Sequence, residues 1–167
     1  MASLTSPLLP LPAGQARTGL SGRVVGQLGP GEQFVLWALR QRLADGDTPS
    51  PAFLCGFRLA FGLARLEPAL AAFECLFGEL AAHGRGVGLF PVRSACISTD
   101  ESTAMALVAS AQGGQGPWLA VAAGRLVEAA AAEALGKAAL GLARYLGEAG
   151  LALAPLELLS AAHSTVH

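Results

Sequence analysis

The chain is short of charge, of cysteine and of aromatic side chains. Charged residues make up 14% of its 167 residues, whereas an ordinary soluble domain has about 25%. With 53% hydrophobic residues, the sequence does not belong to the disordered class, which combines low hydrophobicity with high charge. The same shortage of charge leaves little polar cover for the surface. It therefore predicts exposed apolar patches of the kind that bind other protein surfaces.

Basic residues are not in excess, and the net charge is −1. Because phosphate backbones require a basic surface, the sequence predicts no nucleic-acid partner. Long uncharged apolar runs are also missing: although the mean hydropathy is +0.50, charges interrupt the two most apolar windows, 51–84 and 118–147. A charge at the centre of a spanning helix costs roughly 2.5–3.5 kcal/mol, so we expect no transmembrane segment, while peripheral membrane contact stays open.

The N-terminus has no basic region ahead of its first apolar residues, so we expect no signal peptide and a cytoplasmic location. The three cysteines, Cys55, Cys75 and Cys96, form no C-x-x-C pair, which excludes the usual zinc spacings and predicts reduced, mostly buried thiols. His163 and His167 have the i,i+4 spacing of a metal clamp, but no acid lies beside them. We predict no metal and no cofactor.

Alanine, leucine and helix-start signals dominate the sequence and predict an all-α fold, an irregular bundle of five or six helices. Prolines and glycines over residues 1–29 predict a flexible N-terminal tail. The helical domain is expected over 30–162, with a frayed C-terminus over 163–167. Residues 87–97 lack helical periodicity and are expected to form an extended connector with at most one short strand.

Two helix boundaries are less clear from the pattern. Pro68 cannot donate a hydrogen bond to the carbonyl four residues back, so we expect it to divide or kink the helical stretch 51–84. The alanine-rich stretch 117–149 is compatible with one helix or two.

The helix that opens at Pro30 is apolar on two sides, with a leucine face at Leu36 and Leu39 and two aromatic residues roughly opposite. Such a helix is either sandwiched in the core or presents one side to a partner. Tryptophan and arginine dominate binding hot spots. The predicted contact surface consists of Phe34, Trp37, Arg40 and Trp118.

The stretch "SACISTDESTAMALVASAQ" (94–112) combines a cysteine, hydroxyls and acids. Ser98 and Glu101 match the S-x-x-E capping box, and Asp100 complements the helix dipole, so we interpret the stretch as a helix start. The alternative makes Cys96 a nucleophile. It lies two residues before the cap, and the two acids disfavour a thiolate. Whether Cys96 is exposed stays open at this point.

The order of "FVLWALRQRLADG", "GFRLAFGLARLEPALAAFECLFGEL", Cys96 and "STDE" resembles a family of short uncharacterised alphaproteobacterial helical proteins, known as a domain of unknown function. The resemblance covers about residues 30–150 and implies a helical fold without a known activity. This chain has one cysteine before the cap where related sequences have several. That departure puts a metal or redox role in doubt.

Low charge and two-sided apolar helices together predict a non-enzymatic protein-interaction or adaptor domain, acting by self-association or on a protein partner. One alternative is a helical carrier of a small apolar ligand or cofactor. Its cavity would be lined by Phe53, Phe57, Phe61 and Phe73. A second alternative is a thiol-dependent enzyme that uses Cys96. The sequence favours the non-enzymatic role.

Overall fold

The computed structural model describes residues 8–10 and 20–154. Within them the chain forms six α-helices: α1 Pro30–Asp45, α2 Pro51–Phe61, α3 Leu63–His83, α4 Thr99–Gln112, α5 Gly116–Leu126 and α6 Ala132–Glu148. The predicted all-α irregular bundle is confirmed. α4 packs against α5 and α6, and α6 packs against α3.

Four short strands add two small ribbons to the bundle: β1 Leu8–Pro10, β2 Leu20–Val24, β3 Val87–Leu89 and β4 Cys96–Ser98. β1 pairs with β3 in parallel, and β2 pairs with β4 in the antiparallel direction. The connector 87–97 thus contributes to two strands rather than one. Strands also occur in the segment predicted as a tail, at residues 8–10 and 20–24.

Several sequence predictions fall outside the described residues. These are the rest of the predicted tail, at 1–7 and 11–19, and the C-terminal residues 155–167, which include His163 and His167. The domain predicted over 30–162 is described as far as Ala154.

The division between α2 and α3 lies at Gly62. Pro68, where the sequence predicted a division or a kink, does not divide the stretch. Gly62 has a φ of 73°, a left-handed conformation that glycine adopts without strain and that ends α2. Pro68 lies inside α3, in its second turn. There its ring costs one backbone hydrogen bond without ending the helix.

Both apolar sides of α1 are covered. Its leucine side, including Leu36 and Leu39, is buried in the core. On the other side, Phe34 and Trp37 pack against the phenylalanines of α2. Of the two arrangements open to a two-sided apolar helix, the structure therefore adopts the sandwich.

The stretch 117–149 forms two helices, because a tertiary contact interrupts it after Leu126. The amide of Arg85 donates to the Leu126 carbonyl at 2.9 Å, and the Glu128 amide donates to the His83 carbonyl at 3.1 Å. The Arg85 guanidinium also donates to the Val127 carbonyl. These bonds from the end of α3 hold residue 127 in an extended conformation, and a short 3₁₀ turn, Ala129–Ala131, then leads into α6.

Candidate functional site

The stretch 94–112, which combines a cysteine, hydroxyls and acids, is built around a buried ion pair. Arg40 of α1 donates through Nε and Nη2 to the carboxylate of Glu101, at 2.7 and 2.9 Å. Arg40 also donates to the carbonyls of Ser94 and Cys96. The Glu101 carboxylate accepts from the amides of Phe90 and Ser98 as well. Every nitrogen of the Arg40 guanidinium and both oxygens of the Glu101 carboxylate therefore have a partner within the protein.

The helix start has the geometry that the S-x-x-E spacing predicts. Ser98 Oγ accepts from the Glu101 amide at 3.0 Å, and the Glu101 carboxylate accepts from the Ser98 amide at 2.8 Å. The Ser98 hydroxyl donates to the Gly88 carbonyl, and Asp100 accepts from the Gly88 amide. The cap thus fixes the strand β3 to α4. Among the described residues no buried side-chain nitrogen or oxygen lacks a partner, so the network holds the fold together and leaves no group free for chemistry.

Cys96 is exposed, which answers the question that the sequence left open. Its amide and carbonyl are held by Ser94 and Arg40, but no hydrogen bond reaches its thiol within the described structure. Among the residues that the structure describes, no base hydrogen-bonded to the Cys96 thiol is present to activate it. Cys55 and Cys75 are exposed too. The expectation of mostly buried thiols was therefore wrong.

The four residues of the predicted contact surface do not share one surface. Arg40 is 3% exposed and is held in the ion pair with Glu101, so its assignment to an exposed interface was wrong. Phe34 and Trp37 are half-buried because they cover the α2 phenylalanines. Trp118, in the first turn of α5, is 57% exposed.

The phenylalanines assigned to a ligand cavity pack against one another. Phe57 contacts three of its neighbours, with ring centroids 4.7 Å from Phe53, 5.6 Å from Phe61 and 5.3 Å from Phe73. At these distances the rings fill the space between them, with the geometry of aromatic pairs in a core. The cluster is part of the hydrophobic core rather than the wall of a ligand site.

A concave surface runs along α6, and we call it the α6 groove. It has two hollows of about 480 Å³ each, both open to solvent, and Leu140 lines both of them. Leu140 is 46% exposed and stands as a ridge between the hollows. Since the α6 residues of the two hollows recur at spacings of three and four, they lie on one flank of the helix.

Small residues line most of the groove. The hollow towards the N-terminus of α6 is lined by Gly116, Leu119, Ala120, Ala129, Ala132 and Gly136, with Glu133 and Lys137 at its polar end. The hollow towards the C-terminus is lined by Ala111, Gln112, Ala143, Arg144, Gly147, Gly150 and Ala152. Small side chains allow another backbone to approach closely, so the lining suits a polypeptide partner. Trp118 is not one of the lining residues.

Charge is balanced in the hollow towards the N-terminus of α6. Lys137 Nζ lies 2.8 Å from Glu133 Oε1 in a solvent-exposed i,i+4 pair. The hydrogen bond and charge of Lys137 hold the pKa of Glu133 below its ordinary value, and Glu133 in turn raises the pKa of Lys137. Both groups are therefore charged around neutral pH. The mouth of this hollow carries one positive and one negative charge.

Sequence reasoning missed Leu140, although the pattern contained a signal for it. On a helical wheel Leu140 lies at the edge of the polar side of α6, next to Glu133 and Arg144. A large apolar residue on an otherwise charged face indicates a contact site more specifically than an exposed tryptophan near a helix end.

A second pair of exposed apolar residues lies where α2 meets α3. Leu59 is 81% exposed and Leu63 is 69% exposed, but neither lines one of the two hollows described above. Scattered exposed leucines are ordinary on soluble proteins. This pair therefore serves as a comparison for the α6 groove.

Across the described residues, no helix combines the length and apolar content needed to cross a membrane. In the same part of the chain, no group of three or more potential metal ligands lies together. Fold and surface together define a small helical domain with an open apolar groove. Compared with known proteins, the chain matches no family model, no curated protein and no solved structure.

Proposed function

We propose that this chain is a non-enzymatic protein-binding domain whose α6 groove receives an apolar polypeptide surface. The observation that carries the proposal is the pair of hollows on either side of the half-exposed Leu140. A 17-residue helix is about 25 Å long at 1.5 Å per residue. A groove of this length suits an amphipathic helix laid along it, one of the recurring modes of peptide recognition.

The shape of the groove favours a macromolecular partner over a small apolar ligand. Ligand sites bury roughly 70–90% of the surface of their ligand, whereas both hollows are open along one side. The domain is also poor in charge, which supports apolar contact over electrostatic recognition. A cytoplasmic location, which the sequence predicts, is part of the same proposal.

The test is capture of partners from the native cell with tagged full-length protein, read by mass spectrometry. Leu140→Asp places a charge on the ridge of the groove, and Leu59→Asp places the same charge on a more exposed leucine elsewhere. We expect at least one polypeptide, which includes untagged copies of the chain, to be captured by wild type and Leu59→Asp and lost with Leu140→Asp.

A captured polypeptide that depends on Leu59 and not on Leu140 would show that the groove is not the binding site. Native mass spectrometry of the purified protein provides a second measurement. A co-purifying small apolar molecule, released by Leu140→Asp, would replace the protein-binding proposal with the carrier alternative.

A further inference from the structure

We infer that the occupant of the α6 groove is a second copy of this chain, so that the protein is a symmetric dimer built on α6. This inference rests on the proposed function, because it names the partner of the same groove. Two independent features of α6, its charge and its shape, match the same features of a second copy that is related by one two-fold axis.

The first feature is charge. Consider an antiparallel pair of α6 helices related by a two-fold axis that passes the exposed flank at the level of residue 135. Glu133 of each copy then lies beside Lys137 of the other. Both side chains are largely exposed and are paired only within their own helix, so they can exchange partners across the axis. The mouth of the hollow holds one acid and one base and is neutral, which suits a copy of itself better than a strongly charged partner.

The second feature is shape. The same axis brings Leu140 near Ala130 of the second copy, in the 3₁₀ turn that precedes α6. The neighbours of that position, Ala129 and Ala132, line the hollow towards the N-terminus of α6. Each copy therefore offers a half-exposed leucine and a hollow lined by small residues that can receive it. A surface patch that fits itself in this way is what a two-fold interface requires.

The interface is a small one, because a single helix and its neighbouring groove supply it. Interfaces at the low end of the size range are weak and reversible. We therefore expect a monomer–dimer equilibrium in the micromolar range, and a concentration-dependent molecular mass for the wild-type protein in sedimentation equilibrium.

Charge variants test the arrangement directly. Glu133→Lys gives the face two lysines, and Lys137→Glu gives it two glutamates, so each variant alone should dimerise at least about tenfold more weakly than wild type. Mixing the two variants should restore a heterodimer, and the double variant Glu133→Lys/Lys137→Glu should restore the homodimer. Glu67→Lys, an exposed charge reversal on α3, is the matched control and should dimerise like wild type.

A wild-type protein that stays monomeric at high micromolar concentration would overturn the dimer. Charge variants that dimerise as well as wild type would also overturn it. The same holds for a mixture of the two variants that dimerises no more strongly than either variant alone. If the protein is monomeric and yet captures another polypeptide through Leu140, the proposed function stands and the identity of the partner is wrong. If it neither dimerises nor captures a polypeptide through Leu140, both proposals fail.

Discussion

Arg40 and Glu101, 61 residues apart in the chain, form a buried two-point ion pair at 2.7 and 2.9 Å. The pair joins the middle of α1 to the first turn of α4. Through its further bonds to Ser94, Cys96 and Phe90, it also fixes the connector between β3 and β4. The residue that sequence reasoning placed on a binding surface is thus a centre of the internal structure.

Replacing Arg40 with methionine should destabilise the fold by about 3–5 kcal/mol, because it leaves the Glu101 carboxylate buried without its cation. The measurement is urea-induced unfolding followed by circular dichroism. Arg58→Met, on the exposed surface of α2, should change the free energy of unfolding by less than about 0.5 kcal/mol. The double variant Arg40→Met/Glu101→Leu should lose less free energy of unfolding than the sum of the losses in the two single variants. Additive losses would show that the two groups do not act as a pair.

Removing the Ser98 hydroxyl should weaken the start of α4. Loss of a cap costs about 0.5–2 kcal/mol, and Ser98→Ala should fall in the upper part of that range because the Gly88 carbonyl loses its donor as well. Thr103→Ala removes a hydroxyl from the same helix that bonds only to the Thr99 carbonyl at the surface. It should change stability by less than about 0.5 kcal/mol. Equal effects of the two substitutions in thermal unfolding would contradict the role of the cap.

Glycine-to-alanine substitutions in α2 and α3 should have opposite signs. A Cβ on Gly56 would overlap the Trp37 ring, whereas a Cβ on Gly78 would meet open space. We expect Gly56→Ala to destabilise the protein by about 1–3 kcal/mol through overpacking, and Gly78→Ala to stabilise it by about 0.5–1 kcal/mol. Chemical denaturation of both variants measures the difference. If Gly56→Ala left the free energy of unfolding unchanged, Trp37 would be free to move away from the added Cβ.

All three thiols should react in the folded protein. Because Cys55, Cys75 and Cys96 are exposed, a disulfide reagent such as DTNB should titrate three equivalents without denaturant. Cys96 should react no faster than the other two, since no base is hydrogen-bonded to its thiol in the described structure. Single Cys→Ser variants assign each rate. A Cys96 rate far above that of a free thiol would revive the thiol-enzyme alternative.

The chain after α6 should be held by one side chain. Gln112 donates to the Leu151 carbonyl at 3.0 Å and accepts from the Leu153 amide at 2.8 Å. Gln112→Ala should therefore speed hydrogen exchange at the Leu153 amide by at least about tenfold, because a bond worth roughly 1.5 kcal/mol is lost. Gln115→Ala is the control, since Gln115 makes no such bond to this segment. Unchanged exchange in Gln112→Ala would show that the bonds of Gln112 do not hold Leu153 in place.

Local signals in the sequence led to the features that local physics controls. The cap at Ser98 needs only residues within one helical turn, so its spacing is visible in the sequence. Leu140 belongs to this class as well, because its place on the polar face of α6 could have been recognised from spacing.

Features that depend on distant residues could not be found in this way. Nothing near Arg40 in the sequence indicates that Glu101 is its partner. Phe34 and Trp37 likewise look like a free apolar face until α2 covers them. No proline or glycine stands at Val127 to indicate the break there. Backbone bonds to His83 and from Arg85, at the end of α3, produce the break.

The sequence by itself determined the fold class, the start of α4 and the net charge of −1, since composition and short-range periodicity set these properties. Tertiary structure alone decided which apolar faces are covered, where Arg40 lies and that the open groove follows α6. The physical reason is that burial depends on contacts between elements, and a helix carries the same apolar residues whether or not another helix packs against them.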